Sequence, residues 1–187
     1  YFLKAPSSVV GPDHGVELPF ADRRVDHEVE LAFVIGEEAK DVSAEAAWDH
    51  IFGYTILLDI SVRGEQDRSN RKSYDTFTVI GPCVVTPDEV GDPQNLEMEL
   101  QVNGETRQAE NTDDMIYTCG DVVQYAAIGA TVETGDVITT GTPEGVGPLA
   151  DGDVVDAEIE NIGSMSVDVS ERDVKFADVD IQKGGQD

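Results

Sequence analysis

The amino-acid sequence predicts an α+β domain that consists mainly of β-strands. Short segments in which apolar and polar residues alternate, the two-residue period of a strand, far outnumber segments with the period of a helix. The helices are too few for repeated β-α-β units, so mixed strand pairing is expected. The predicted strands cover residues 29–35, 54–60, 77–85, 97–102, 136–140, 154–159 and 164–169.

One tight turn and two helices are predicted between these strands. Asn103-Gly104 separates two alternating segments, and both residue types accept the positive φ that a two-residue hairpin turn requires. The segment SAEAAWDHI predicts a helix with Ser43 as its N-cap, and GDVVQYAAI predicts a second one. We expect residues 1–172 to form a single domain and the polar, Gly-ended residues 173–187 to form a frayed tail.

The net charge disfavours two classes of partner. Asp and Glu number 39 against 12 Lys and Arg, which gives −27 and opposes binding to nucleic-acid phosphates or to an anionic membrane surface. The chain is 40% hydrophobic, which distinguishes it from disordered acidic chains. We predict a surface of halophilic type, because high salt would screen the repulsion; an ordinary very acidic protein is the alternative.

The two cysteines indicate a compartment. Cys83 and Cys119 match no metal-binding spacing and are predicted to be ordinary buried thiols of a reduced, cytoplasmic protein. No apolar segment approaches the length of a membrane span, and no charged-then-apolar leader precedes the first strand. The sequence therefore predicts a cytoplasmic location.

The segment VDHEVELAFVIG changes character along one face. Its even positions begin with Asp26, Glu28 and Glu30 and then become apolar at Ala32 and Val34, as expected for a strand that passes an acidic pocket before it enters the core. Residues two apart on a strand point the same way and lie roughly 7 Å apart, so Glu28 and Glu30 could bind one divalent cation. A solvent-exposed face is the common alternative for such a pair.

A further carboxylate interrupts the apolar segment YTILLDISVRGEQ. Burial of Asp59 there requires a cation or a proton, and a salt bridge to Arg63 or Arg24 is the structural alternative. Three carboxylates from two strands suit Mg²⁺ or Mn²⁺, whereas zinc is disfavoured because neither Cys nor His is placed to help.

Two other segments supply candidate residues. Lys72, in RKSYDTF, is one of only five lysines, so it is a candidate for the same site, with a salt bridge to a surface acid as the alternative. In TTGTPEGVG, Gly141, Gly145 and Gly147 would bring the backbone close to a ligand or to another strand. The segment lacks the Lys-Ser/Thr ending of a phosphate loop, which argues against nucleotide binding.

In sequence order these segments resemble the fumarylacetoacetate hydrolase family. The resemblance runs from Phe2 to about Val169 and is carried by FLKAPSS, VDHEVELAFVIG, GYTILLDISVRGEQ, RKSYDTFTVIGP, LQVNGE and GDVITTGTPEGVG. It implies a mixed β-sandwich roll that is usually dimeric. It also implies a Mg²⁺, Mn²⁺ or Ca²⁺ ion held by Glu28, Glu30 and Asp59.

The resemblance also implies a substrate class and a mechanism. Family substrates are 2-oxo or 2,4-dioxo acids, and a metal that chelates such an acid can stabilise an enolate. Lys72 is the implied catalytic residue, because it would add positive charge where an oxyanion develops. The candidate substrate-binding residues are Arg63, Gln66, Asp75 and Thr142.

The sequence departs from the family pattern at one point. Many members carry an Asn-Tyr-x-x-His segment upstream of FLK whose His is the general base, and this chain begins after that position. His14, His27 and His50 are its only histidines; we expect His27 to point away from Glu28 and Glu30, His50 to be structural and His14 to lie in a solvated loop. Either the His-bearing segment lies outside this sequence or the protein lacks it, and only the second possibility would put hydrolysis in doubt while leaving isomerisation or decarboxylation feasible. The favoured activity is isomerisation or decarboxylation of the 2-hydroxyhepta-2,4-diene-1,7-dioate isomerase type in aromatic catabolism. The alternatives are acylpyruvate or fumarylacetoacetate-type C–C hydrolysis, and a non-catalytic metal-binding domain.

Overall fold

A computed structural model describes residues 1–20 and 22–172. Its strands are β1 (Val9–Val10), β2 (Val16–Leu18), β3 (Val25–His27), β4 (Val29–Ile35), β5 (Ile51–Asp59), β6 (Ser61–Val62), β7 (Thr78–Val85), β8 (Glu97–Val102), β9 (Glu105–Asn111), β10 (Val137–Thr139), β11 (Gly147–Pro148), β12 (Val154–Ile159) and β13 (Gly163–Glu171). Its α-helices are α1 (Ala44–Ala47), α2 (Arg68–Arg71), α3 (Pro87–Val90) and α4 (Cys119–Ala127). Short 3-10 helices cover Pro6–Ser8, Pro12–His14, Trp48–His50 and Thr112–Asp114.

The strands form three sheets that share one hydrophobic core. The neighbour orders are β1-β7-β5-β4-β10, β11-β3-β6 and β2-β13-β12-β8-β9. The β1–β7 and β2–β13 pairs are parallel, and the other pairs are antiparallel. A mainly β fold with mixed pairing is thus confirmed. The core takes side chains from every sheet, including Phe33, Val62 and Val155.

The predicted hairpin is confirmed, whereas the first predicted helix is shorter than expected. Asn103 and Gly104 have φ values of 53° and 77° and connect β8 to β9. Ser43 caps α1 through a hydrogen bond from Ala46 N–H. The chain then continues as the tighter 3-10 helix Trp48–His50. It enters β5 at Ile51, which pairs with Ile35 of β4, so the helix ends there.

Two further predictions have different outcomes. Cys119 is buried at the start of α4, as expected, but the prediction that Cys83 is buried is wrong. Cys83 lies in the second half of β7, where residues 82–84 are all exposed because both faces of the strand have left the core. The predicted tail, residues 173–187, lies outside the described residues, and within those residues no helix has the length and apolar content that a membrane crossing requires.

Candidate functional site

The ladder between β4 and β5 brings three carboxylates together. Val29 pairs with Leu58, and Asp59 N–H donates a 2.8 Å hydrogen bond to the carbonyl of Glu28, so Glu28 and Asp59 are neighbours across the two strands. Glu30 lies two residues further along and faces the same side. Glu28, Glu30 and Asp59 are buried, with exposed fractions of 7%, 4% and 0%. Their oxygens lie within 4.8 Å of one another, which is close enough for one ion.

Two lysines neutralise part of this carboxylate cluster. Lys72 Nζ lies 2.8 Å from Glu28 Oε2 and also donates to Asp59 Oδ2. Lys4 Nζ donates to Asp59 Oδ1 and, at 2.9 Å, to the carbonyl of Phe77. Lys72 is buried and therefore does not pair with a surface acid, the alternative that its sequence context left open. Burial lowers the pKa of Lys4 although Asp59 opposes the shift.

Arginines bind a different carboxylate from the one that the sequence suggested. Arg63 Nε lies 2.6 Å from Asp26 Oδ2, and Arg24 Nε lies 2.7 Å from Asp26 Oδ1. Burial alone would raise the pKa of Asp26, but the hydrogen bonds from Arg24 and Arg63 hold it below its usual range. Arg63 also reaches the cluster, because its Nη2 lies 2.8 Å from Glu28 Oε1.

Glu30 is the cluster carboxylate without a lysine or arginine contact among the described residues. Its Oε2 accepts a 3.0 Å hydrogen bond from Gly141 N–H. Burial, followed by repulsion from Asp59 and Glu28, raises the pKa of Glu30 to about 8. A buried carboxyl with this pKa is stabilised either by a proton or by a cation. The all-carboxylate donor set suits Mg²⁺ or Mn²⁺, so the three residues fit such an ion.

The other predicted substrate-binding residues lie in different surroundings. Thr142 follows Gly141, and its hydroxyl donates a 2.7 Å hydrogen bond to the carbonyl of Val29. Gln66 is half-buried, and its Oε1 is buried without a hydrogen-bond partner in the described part of the chain. The structure does not bring Asp75 to the cluster: its side chain is 61% exposed and its carboxylate lies 3.7 Å from Arg172 Nη2.

The histidines lie where the sequence placed them. His27 is fully buried, and its Nδ1 lies 3.1 Å from Gln108 Oε1. His50 Nδ1 lies 3.1 Å from the carbonyl of Glu37, a structural contact. His14 is exposed in the 3-10 helix Pro12–His14. Within residues 1–20 and 22–172 none of the three makes a hydrogen bond or an ion pair with the carboxylate cluster.

Two of the three glycines of the segment 141–147 bring its backbone against other strands, whereas a Cβ at Gly141 would meet nothing within 4 Å. A Cβ at Gly145, whose φ is +94°, would lie 1.9 Å from the carbonyl oxygen of Arg107 on β9. A Cβ at Gly147 would lie 3.2 Å from His27 Nε2 on β3. The close approach is therefore to strands in both cases, which was one of the two possibilities that the sequence left open.

Sequence reasoning did not single out two residues of this region, Lys4 and Gln108. Lys4 lies in the FLK segment, and the scarcity of lysine that drew attention to Lys72 applies equally to it. Gln108 is the only fully buried side chain of β9, so the strand shows no apolar face that could be recognised. No pattern in the sequence marks Gln108 as buried, because burial of a polar side chain depends on partners far along the chain.

Comparisons with known proteins identify the family of this chain. The family model described as fumarylacetoacetate (FAA) hydrolase C-terminal matches residues 1–170. Maleylpyruvate hydrolase of Aquipseudomonas alcaligenes is 51% identical over 166 residues, which cover 89% of this chain and 58% of the relative.

Solved structures share the fold. Maleylpyruvate hydrolase from Sphingobium sp. SYK-6, in complex with manganese(II) ion and pyruvate, has a TM-score of 0.87 and 44% identity over 91% of this chain and 64% of its own. A 2-hydroxyhepta-2,4-diene-1,7-dioate isomerase from Mycobacterium marinum has a TM-score of 0.85 and 41% identity, with 92% and 69% covered. This chain thus spans less than two thirds of the length of both hydrolases. The family match, the identities and the shared fold together establish that the chain belongs to the fumarylacetoacetate hydrolase family, in its C-terminal-domain type.

Proposed function

We propose that this chain is a divalent-metal-dependent enzyme that acts on 2-oxo or 2,4-dioxo acids, with Glu28, Glu30 and Asp59 as the metal ligands. The observation that carries the proposal is the convergence of three buried carboxylates within 4.8 Å. Burial of three like charges is costly unless cations compensate them. The likeness to a maleylpyruvate hydrolase that binds manganese(II) and pyruvate supports both the ion and the acid.

The basic residues around the cluster suit an anionic substrate. A bound Mg²⁺ or Mn²⁺ would supply Lewis acidity towards a carboxylate and its neighbouring carbonyl oxygen. Lys72 and Arg63 already lie against the ligand oxygens, so their charges are preorganised beside the position where an oxyanion would develop. In this proposal Lys72 stabilises that charge, and Arg63 helps to hold the substrate carboxylate.

Gln66 and Thr142 are proposed to orient the substrate. The unpartnered Oε1 of Gln66 can accept a hydrogen bond from a substrate hydroxyl without breaking a bond within the described residues. Thr142 lies next to Gly141, whose N–H binds Glu30, so a substrate at Thr142 is adjacent to the carboxylate cluster. Asp75 stays a weaker candidate because its known contact is with Arg172 on the surface.

Two reactions are candidates for this site. Cleavage of an acylpyruvate by water, in which maleylpyruvate would give maleate and pyruvate, is favoured by the 51% identity to a maleylpyruvate hydrolase. The isomerisation or decarboxylation that the sequence favoured is supported by the likeness to the isomerase from Mycobacterium marinum. Both use the same positive charge beside a developing oxyanion, so the cluster is compatible with either.

The test is one assay with three products measured together. The purified protein, loaded with Mn²⁺ or Mg²⁺ in high KCl, is incubated with maleylpyruvate, oxaloacetate or 2-hydroxyhepta-2,4-diene-1,7-dioate. Pyruvate released from maleylpyruvate indicates hydrolysis, CO₂ release indicates decarboxylation, and an ultraviolet change of the dienoate without either indicates isomerisation. Metal binding without turnover of any of the three would favour the non-catalytic metal-binding alternative, and the absence of metal binding would overturn the proposal. Asp59→Asn serves as the inactive reference and the exposed Glu158→Gln as the matched control.

A further inference from the structure

We propose that Gln108 is a positioning residue: it holds the loop of residues 140–147 against the corner between β3 and β4 and thereby orients Thr142 for ligand binding. The inference rests on the proposed function, because it assumes that Thr142 lines the ligand site. Gln108 itself touches none of the three cluster carboxylates among the described contacts. Its action is therefore indirect.

All four hydrogen-bonding positions of the Gln108 amide are used. Its Oε1 lies 3.1 Å from Val29 N and 3.1 Å from His27 Nδ1. Its Nε2 donates to Thr142 Oγ1 at 2.8 Å and to the carbonyl of Pro143 at 3.0 Å. An amide has two acceptor sites and two donor hydrogens, so the group is fully satisfied. Half of its bonds go to the strand corner and half to the loop.

These contacts determine the direction of each hydrogen bond. The N–H of Val29 can only donate, so the atom that faces it must be the amide oxygen of Gln108. The amide nitrogen then faces Thr142, and the Thr142 hydroxyl accepts from it. That hydroxyl must donate its own hydrogen to the carbonyl of Val29, 2.7 Å away. The orientation of the Thr142 hydroxyl is therefore set by Gln108 and by the backbone of Val29.

The backbone of the loop supports the same reading. Gly145 lies against β9 so closely that a Cβ would meet the carbonyl oxygen of Arg107 at 1.9 Å and Cγ of Gln108 at 3.3 Å. At the other end of the loop, Gly141 N–H binds Glu30 Oε2 at 3.0 Å. The loop is thus held between β9 and the cluster, and Gln108 is the buried side chain that joins the two sides.

A double-mutant cycle on ligand binding tests the proposal. The variants are Gln108→Met, which keeps the length of the side chain but removes all four hydrogen bonds, Thr142→Val, which keeps the shape but removes the hydroxyl, and the double variant. Gln101→Met is the matched control, because the Gln101 amide, on the neighbouring β8, donates only to Glu99 in the described contacts. The probe is pyruvate, added to the Mn²⁺-loaded protein, and calorimetry gives the Kd for each ligand.

The wild-type protein is measured first, so that failure of the two proposals can be distinguished. A wild type that binds neither Mn²⁺ nor pyruvate overturns the proposed function. If it binds both, each single variant is expected to weaken pyruvate binding by about tenfold while Mn²⁺ binding stays near wild type, because each variant removes hydrogen bonds that hold the loop and so displaces the backbone at Thr142. The Thr142 hydroxyl acts here as a link between Gln108 and Val29 and not as a donor to pyruvate, since its one hydrogen goes to Val29. The double variant should then also lose no more than about tenfold in pyruvate affinity relative to the wild type, because the two residues act through one contact. Gln101→Met should bind pyruvate like the wild type.

Two results would overturn the role of Gln108. One is a Gln108→Met protein that is less heat-stable but binds pyruvate normally, which would show a purely structural role. The other is a double variant whose loss is the product of the two single losses, about a hundredfold, which would show independent action. If Gln108→Met does not fold, Gly145→Ala replaces it, since the new Cβ must push the loop away from Arg107. Unchanged pyruvate binding in folded Gly145→Ala would then refute the proposal.

Discussion

The main-chain N–H of Asp59 donates to the main-chain carbonyl of Glu28 across 2.8 Å, at the point where β5 ends and β4 begins. Two acidic residues that are remote in the sequence are thereby held side by side by backbone hydrogen bonds, independently of their side chains. Their carboxylates are buried, so each requires positive charge nearby. The ladder sets the geometry of the site, and the charges around it set its chemistry.

Removal of one cluster carboxylate should weaken metal binding strongly. Loss of a residue that only hydrogen-bonds to a metal ligand typically weakens metal binding roughly 10–100-fold. Loss of a ligand itself should therefore weaken metal binding by at least about tenfold. We expect Glu28→Gln and Asp59→Asn to weaken Mn²⁺ binding by at least that factor, measured by calorimetry in high KCl. Glu158→Gln, on the exposed side of β12, should bind as the wild type does. Wild-type affinity in both cluster variants would refute the assignment of the ligands.

The metal-free protein should lose stability as the pH rises. The pKa of Glu30 is raised from 4.5 to about 8, so the folded state keeps a proton that the unfolded state has already released. This contribution is complete below pH 4.5 and is lost as the pH rises through about 8, because between these two values unfolding releases the proton and a higher pH favours that release. Denaturant unfolding in EDTA across this range measures it.

Two comparisons isolate Glu30 in that experiment. Glu30→Gln cannot titrate, so the part of the slope due to Glu30 should disappear while other groups contribute as before. Saturating Mn²⁺ should also remove it, because the ion displaces the proton and metal affinity should rise with pH over the same range. A slope that is identical in wild type and Glu30→Gln would contradict the raised pKa.

Lys72 should matter for turnover and not for metal capture. Loss of one preorganised electrostatic partner costs about a hundredfold or more in kcat, which is the effect we expect for Lys72→Ala on a 2-oxo-acid substrate. Mn²⁺ affinity should be no weaker than in the wild type, because the ammonium competes with the ion for Glu28 and Asp59. Lys40→Ala, at an exposed lysine, is the control. Full activity of Lys72→Ala would reduce its role to that of a buried salt bridge.

Lower ionic strength should reduce stability if the surface is halophilic. Repulsion within a chain of net charge −27 is screened over roughly 3 Å at 1 M salt and roughly 10 Å at 0.1 M. We expect the Tm to fall as KCl is withdrawn over this range. Salt also strengthens hydrophobic burial, so the control replaces three exposed glutamates, Glu89, Glu133 and Glu158, with glutamine and should show a weaker salt dependence. A Tm that stays flat or rises would refute the prediction.

The homodimer implied by the family resemblance remains to be measured. Large apolar side chains are exposed before, along and directly after α4: Ile116, Tyr117, Tyr125 and Ile128 are 90%, 66%, 63% and 63% exposed. Self-association there would remove this surface from water. Light scattering in high KCl should therefore give twice the chain mass of 20.2 kDa, and Ile116→Asp should shift it towards the monomer.

The control for the dimer lies on another sheet. Val84, on β7, is 42% exposed, and Val84→Asp should leave the mass unchanged. A dimer that Val84→Asp dissociates and Ile116→Asp does not would place the interface elsewhere. A wild-type mass of 20.2 kDa would show that the chain is a monomer.

Features that depend on neighbouring residues were predictable from the sequence. The bounds of β4, β8 and β12 are those that alternation predicted, and Asn103-Gly104 forms the expected turn. The period of apolar side chains and the residue types of a turn are local properties, so they can be recognised in the sequence without knowledge of the fold. The Glu28–Glu30 pair was visible for the same reason.

Only the tertiary structure decided which partners the buried charges have. Asp59 binds Lys4 and Lys72 and not the arginines that the sequence suggested as its partners. The β4–β5 ladder turns its side chain towards the two lysines. Asp75, in the same segment as Lys72, instead lies on the surface beside Arg172. Such choices depend on distances across sheets, which alternation along a strand does not encode.

Gln108 is the clearest example of a residue whose contacts could not be predicted from the sequence. It lies 81 residues from His27 and 34 residues from Thr142 along the chain, and its strand has no apolar face to mark it as buried. Its burial is stable only because four hydrogen-bond partners converge on it from β3, β4 and the loop. The sequence alone determined the types of residue and the strands that carry them, whereas the convergence of distant polar groups arises only when the sheets pack together.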